Sequence, residues 1–210
     1  MTSGEELGDQ ADGKFLSRNI PRAVFAAALI AGGRSRRMGT DKALLMVTWQ
    51  AQKMPLWKRQ LAVLGELKPN QLMLSGPPRV GSPVNAVSDR WTCAGPLAGI
   101  ATCLDLCMHE FLLVLAVDLP RMESGCLSQL LLRSANGRGV VPVRLGRYEP
   151  LAAVYPKKAF ATAVARLDRR ELKLQGFVGE LVAAGLVRPW TVPPQLEDQF
   201  ANWNSLGEAS

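Results

Sequence analysis

Val24-Phe25-Ala26-Ala27-Ala28-Leu29-Ile30-Ala31-Gly32-Gly33-Arg34-Ser35-Arg36-Arg37-Met38-Gly39-Thr40-Asp41-Lys42 passes from an unbroken apolar segment into a glycine-rich, strongly basic loop. An apolar run that starts after Pro21 and stops at a glycine pair describes a strand buried on both faces, as parallel sheets require. Glycines 32 and 33 carry no Cβ to hold a ligand away, so several N–H groups can converge on one anion. Arg34, Arg36, Arg37 and Lys42 add positive charge around the same point. A loop of this chemistry suits a nucleoside triphosphate, whose phosphate oxygens accept both backbone and charge-assisted hydrogen bonds.

Downstream, Leu56, Gln60, Leu61, Leu64 and Leu67 mark one face of an amphipathic helix from about Pro55 to Leu67, completing a strand, loop and helix unit. Short strands follow at Gln71–Ser75, ended by Gly76-Pro77-Pro78, and at Ala86–Ser88, ahead of Asp89. The turn Gly95-Pro96-Leu97-Ala98-Gly99 opens a helix through Cys107, and Phe111–Val117 is a buried strand that stops at Asp118-Leu119-Pro120. Further on come a helix at Cys126–Arg133, strands at Gly139–Val143 and Glu149–Tyr155, and helical segments at Lys157–Leu167 and 176–186. A loop-rich end follows through Pro189, Pro193 and Pro194. This alternation predicts a single-domain α/β fold, an open and mostly parallel sheet with helices on both faces. Residues 22–210 form that domain, and the polar residues 1–21 form a flexible extension. Ligands of such sheets gather at the carboxyl ends of the strands, so the basic loop, Asp89 and Asp118 are expected along one edge.

Composition narrows the function. The 210 residues are 48% hydrophobic and 20% charged with a net charge of +7, a globular balance that favours anionic partners. The cations are scattered and only 6% of residues are aromatic, so the dense basic stripe with stacking rings of a nucleic-acid binder is missing. Cys93, Cys103, Cys107 and Cys126 lack zinc-knuckle spacing and are expected as reduced, structural thiols. The acidic and polar start is not a secretory signal, and 23–31 is too short to span a bilayer, so a cytoplasmic protein without membrane attachment is expected. His109, the only histidine, is expected at the surface, which leaves no histidine-based triad.

The loop is neither a Walker A sequence nor Gly-x-Gly-x-x-Gly. Ala-Gly-Gly-x-Ser-x-Arg-Met-Gly-x-Asp-Lys instead resembles the signature of the nucleotidyltransferases that act on the molybdenum cofactor. Pro55-Leu56-Trp57, Gly95-Pro96-Leu97-Ala98-Gly99, Asp118-Leu119-Pro120, Glu149-Pro150-Leu151 and Asn202-Trp203-Asn204-Ser205 extend the resemblance in order over about residues 24 to 206. It implies the doubly wound, Rossmann-like nucleotidyltransferase version of the α/β fold and transfer of GMP from GTP to molybdopterin, with pyrophosphate released. It further implies the triphosphate on Ile30, Ala31, Gly32 and Gly33, with Arg37 and Lys42 countering phosphate charge. Asp118 holds Mg²⁺, Asp89 meets the nucleotide, and Asn202 and Asn204 line the pterin side on the same implication. Product would pass to apo-molybdoenzymes or cofactor-insertion proteins through transient contacts.

Other readings stand beside these. Asp118 alone is also a fit cap for the segment beginning at Leu119, Asp89 is ordinary turn chemistry, and Asn202 and Asn204 suit a turn. Ala31-Gly32-Gly33 resembles the guanylyl type, whereas Ala-Ala-Gly is typical of CTP-dependent relatives acting on the same cofactor. A sugar-nucleotide pyrophosphorylase is disfavoured by the short chain and the terminal Asn-x-Asn-Ser. A non-catalytic cofactor carrier would not need Arg37, Lys42 and Asp118 together. Two stretches depart from the family pattern: residues 45–54 are longer than its usual connection and lack its glycine, and Ser75 stands where many relatives have asparagine.

Overall fold

The computed structural model describes residues 24–32 and 41–202; Gly33, Arg37, Asn204 and the 1–21 extension lie outside the described residues. In chain order the elements are β1 (Ala26–Ile30), β2 (Met46–Trp49), β3 (Gln52–Pro55), α1 (Leu56–Glu66), β4 (Gln71–Ser75), β5 (Ala86–Val87), α2 (Pro96–Leu106), β6 (Phe111–Ala116) and α3 (Ser124–Arg133). They continue with β7 (Gly139–Arg144), β8 (Arg147–Tyr148), β9 (Ala152–Pro156), α4 (Ala159–Asp168), α5 (Leu174–Ala183) and β10 (Val187–Thr191). The main sheet runs β10-β7-β9-β6-β1-β4-β5, with β8 paired to β7. Neighbours pair in parallel except where β9 and β8 are involved. The mostly parallel α/β architecture is therefore the one expected, with one antiparallel strand set into it.

β1 sits at the centre because every residue in it is buried on one face or the other. Ala26, Ala28 and Ile30 pack with residues of α2, α4 and α5, while Ala27 and Leu29 pack with residues of α1 and α3. Strand alternation thus divides one apolar run between two helical layers. Small side chains at 26 to 28 let both layers approach the sheet.

Three stretches differ from the sequence reading. Residues 46–55, expected as a connection, form an antiparallel hairpin in which Met46 pairs with Pro55 and Trp49 with Gln52. Its turn residues Gln50 and Ala51 both have positive φ, 48° and 61°, the left-handed geometry of a two-residue hairpin turn without its usual Asn or Gly. The expected loop-rich end contains β10, whose Pro189 lies opposite Val141. β10 is an edge strand, where proline's missing N–H costs no ladder bond. The strand expected from Glu149 starts at Ala152, because Glu149 to Leu151 turn the chain between β8 and β9. His109 is half-buried, with Nε2 enclosed and without a hydrogen-bond partner among the described residues. Among those residues no helix is long and apolar enough to cross a membrane.

Candidate functional site

The carboxyl ends of β5, β4, β1 and β6 form a continuous rim. As β1 ends, Ile30 O accepts from Val117 N–H at 3.1 Å and Ala31 N–H donates to Ser75 O at 2.8 Å. The chain after β1 therefore emerges wedged between the chains leaving β4 and β6. Gly76 has φ +136°, and a Cβ there would lie 2.8 Å from Gly32 N and 2.9 Å from Ala31 C. The close crossing of the two chains requires glycine at 76. The Ala31 N–H is thereby bonded within the fold rather than open to a ligand.

Two cavities meet at Gly32. The smaller, about 130 Å³, is lined by Ile30, Ala31, Gly32, Lys42 and Asp118, together with Asp41, Pro96, Leu151 and the end of β6. The larger, about 350 Å³, is lined by Gly32, Asp89 and the segment from Trp91 to Gly95. The expected convergence of Ile30, Ala31, Gly32, Lys42, Asp89 and Asp118 on one edge is thus present. Asn202 is exposed and lines neither cavity.

Lys42 opens a single 3-10 turn, Lys42–Leu44, whose preceding residue Asp41 caps it by accepting from Ala43 N–H at 3.0 Å. Asp118 is half-buried just past β6, and among the described residues its carboxylate has no hydrogen bond or ion pair. Asp89 accepts from Ser75 Oγ at 3.0 Å. Burial pushes its carboxyl above the ordinary value, outweighing the Ser75 bond that pulls it down. Gly99, on the first turn of α2, lies against this pair: a Cβ there would come 2.6 Å from Ser75 Oγ and 3.5 Å from Asp89 Oδ1. On the far side of β6, Glu149 accepts from Arg144 Nε at 2.9 Å. Burial raises its carboxyl too, partly offset by Arg144 and Arg147.

Sequence reasoning did not single out Arg79, read Asp41 only as part of the Asp-Lys pair that closes the loop, and read Gln60 only as part of a helical face. Asp41 pairs with Arg79, and Gln60 bonds the loop of Asp118. The available signal for Gln60 was an amide on an otherwise apolar helical face; for Gly99 it was the second glycine of Gly95-Pro96-Leu97-Ala98-Gly99 one helical turn after the first.

A family model described as the MobA-like NTP transferase domain matches residues 27–184. A probable molybdenum cofactor guanylyltransferase of Opitutus terrae is 37% identical over 188 residues, covering 87% of this chain and 91% of that protein. One from Chloroflexus aggregans with the same description is 32% identical, covering 72% and 75%. Among solved structures, molybdopterin-guanine dinucleotide biosynthesis protein A from Archaeoglobus fulgidus superposes with a TM-score of 0.67 at 19% identity, covering 88% of this chain and 96% of that one. The 2-C-methyl-D-erythritol 4-phosphate cytidylyltransferase of Thermus thermophilus follows the same fold at a TM-score of 0.60 and 18% identity, covering 87% and 95%. With the family model spanning the first strand to the last helix, and relatives matched over most of their length, the chain is an enzyme of the MobA-like NTP transferase family.

Proposed function

We propose that this enzyme transfers GMP from GTP to molybdopterin, releasing pyrophosphate and forming the guanine dinucleotide cofactor. The observation that carries the reading is the convergence of Gly32, Lys42 and Asp118 on one cavity that adjoins the Asp89 cavity. The triphosphate lies in the smaller space and the nucleoside in the larger. Guanine is favoured over cytosine by Ala31-Gly32-Gly33 and by the names of the relatives.

A divalent cation fits the residues present. Among the described residues no cluster of three His, Cys, Asp or Glu forms a cage, and Asp118 offers an unpaired carboxylate on the cavity wall. Mg²⁺ is suited to that donor set, since it takes one or two carboxylates and fills its shell with phosphate oxygens and water. When bound, it supplies positive charge to the triphosphate and the leaving pyrophosphate. Asp118 would hold it, since Asp41 is committed to Ala43 and Arg79.

An oxygen of the molybdopterin phosphate attacks the α-phosphorus of GTP, forming one P–O bond as the bond to the β-phosphate bridge breaks. Lys42 and Arg37 balance the charge that spreads over the equatorial and departing oxygens. The attacking phosphate is already ionised at neutral pH, so no general base is required. Asn202 and Asn204 meet the pterin side. Residues 22–210 carry the activity in the cytoplasm, and the product passes to apo-molybdoenzymes or insertion proteins.

The test is purified protein with molybdopterin, Mg²⁺ and one nucleotide at a time, following pyrophosphate and the dinucleotide product. Turnover with GTP is expected; product from CTP alone overturns the guanylyl reading. Lys42→Ala and Asp118→Ala are expected to cut kcat by about 10²-fold or more with little change in melting temperature. Removal of residues 1–18 is expected to leave kcat nearly unchanged.

A further inference from the structure

The loop that carries Asp118 is held from beneath by α1. Gln60 is fully buried on that helix, an amide within a face built from Leu56, Leu61 and Leu64. Its Nε2 donates to Leu119 O at 2.8 Å and to Ala116 O at 3.3 Å, the carbonyls that bracket Val117 and Asp118. Its Oε1 accepts from Arg59 Nη1 at 2.6 Å, and the same nitrogen donates to Met122 O at 2.9 Å. Arg59 is buried as well, and desolvation draws its pKa down against the pull of Glu123 and Glu66. Burying an amide and a guanidinium is costly unless their polar atoms are satisfied. Here Gln60 Nε2 and Arg59 Nη1 direct their hydrogen bonds to residues 116–122 and, through Gln60 Oε1, to each other.

The same helix is tied to Lys42. Leu56 N–H, at its first residue, donates to Leu45 O at 2.8 Å, and Leu45 N–H donates to Lys42 O at 3.1 Å. One turn further along α1 comes Gln60. A single rigid element therefore sets where the Lys42 turn and the Asp118 loop stand relative to each other.

We propose that Gln60 is a positioning residue: its carboxamide, locked by Arg59, fixes the Asp118 carboxylate against the Lys42 turn in the arrangement that a divalent cation on a triphosphate needs. Gln60 lines neither cavity and acts through the backbone of 116–119. The proposal rests on the metal role given to Asp118 above.

The experiment compares full-length wild type, Gln60→Met, Gln60→Glu and Asp118→Asn. Binding of Mn²⁺·GTP is read by water proton relaxation, and pyrophosphate release is followed across Mg²⁺ concentration. Gln60→Met removes both donors at similar volume; Gln60→Glu keeps the Arg59 contact but donates nothing, and serves if the methionine variant fails to fold. Both are expected to raise the Mn²⁺·GTP Kd about tenfold and to lower kcat at fixed Mg²⁺, as loss of an outer hydrogen-bond partner does. High Mg²⁺ is expected to restore part of kcat, which a loss of folded protein would not allow. Wild-type Mn²⁺ binding and Mg²⁺ dependence in the Gln60 variants, with both lost in Asp118→Asn, overturns the positioning role and leaves the metal assignment standing. Unchanged Mn²⁺·GTP binding by Asp118→Asn overturns the metal assignment and the positioning role with it.

Discussion

Arg79 Nη1 lies 2.7 Å from Asp41 Oδ2, with the arginine side chain only 6% exposed and the aspartate 40%. Asp41 also caps the turn that begins at Lys42, so the residue before the lysine anchors that turn to the connection between β4 and β5. Arg79 Nε and Nη2 are buried without hydrogen-bond partners among the described residues, which leaves Asp41 as the compensation for a buried cation. Asp41→Ala is therefore expected to cost about 1–3 kcal/mol in urea denaturation, the range for stranding a buried donor. Asp41→Asn keeps the Ala43 bond and should lose less. Removing both partners in Asp41→Ala with Arg79→Met should recover part of the loss, because the stranded charge goes too. Equal losses in the single and double variants would refute this account of the pair.

Asp89 sets stability against binding. Its carboxyl is raised in the folded state, so its contribution to stability is fully present below the unfolded value of 3.8 and is lost as pH rises through the folded value. Wherever the group is ionised in the folded protein, burial makes that charge a cost to the fold. Asp89→Asn is expected to melt higher than wild type at neutral pH, with the gain vanishing in acid where both side chains are uncharged, and to bind GTP more weakly. Matching melting curves at neutral pH would count against the burial argument.

The four thiols should separate in reactivity. Burial pushes Cys103 up to about 12 and Cys126 up to about 11, and raises Cys107 as well, while Cys93 is exposed on the wall of the larger cavity. Native protein at about pH 8 should give one fast thiol equivalent with a disulfide reagent, mapped to Cys93 by mass spectrometry. Saturating GTP should slow that labelling. Fast labelling of a second cysteine would contradict the burial assigned to the other three.

The legible parts of the fold were those whose chemistry is local. Buried parallel strands such as β1 and β6 announce themselves as apolar runs, and the rule that ligands gather at carboxyl ends then places Gly32, Asp89 and Asp118 together from the chain alone. β10 was hidden because Pro189 argues against a strand, and only its edge position removes that objection. The hairpin at 46–55 was hidden because Gln50 and Ala51 adopt positive φ without the residues that advertise it. The bonding roles of Asp41 and Gln60 were not legible because their partners, Arg79 and the carbonyls of 116 and 119, are distant in sequence. Their roles exist only once the chain is folded.

Three glycines separate geometry from propensity. Gly65 in α1 has nothing within 4 Å of an added Cβ, so Gly65→Ala should stabilise by up to about 1 kcal/mol through helix propensity alone. Gly99 in α2 shares that propensity gain, but its Cβ would press on Ser75 Oγ, a hydroxyl that can rotate away only by leaving Asp89. Gly99→Ala should therefore change melting temperature little while raising the Kd for GTP. Gly76 has no such escape, since its φ of +136° is open to glycine alone and the atoms ahead of its Cβ are the backbone of Ala31 and Gly32. Gly76→Ala should lose both stability and nucleotide binding, because relieving the clash means moving the chain off Ser75 O, where Ala31 N–H is bonded. Melting curves and GTP titrations on the three variants check the order. A Gly76→Ala protein as stable as Gly65→Ala would show that the crossing of the β1 and β4 ends is not as tight as these contacts make it.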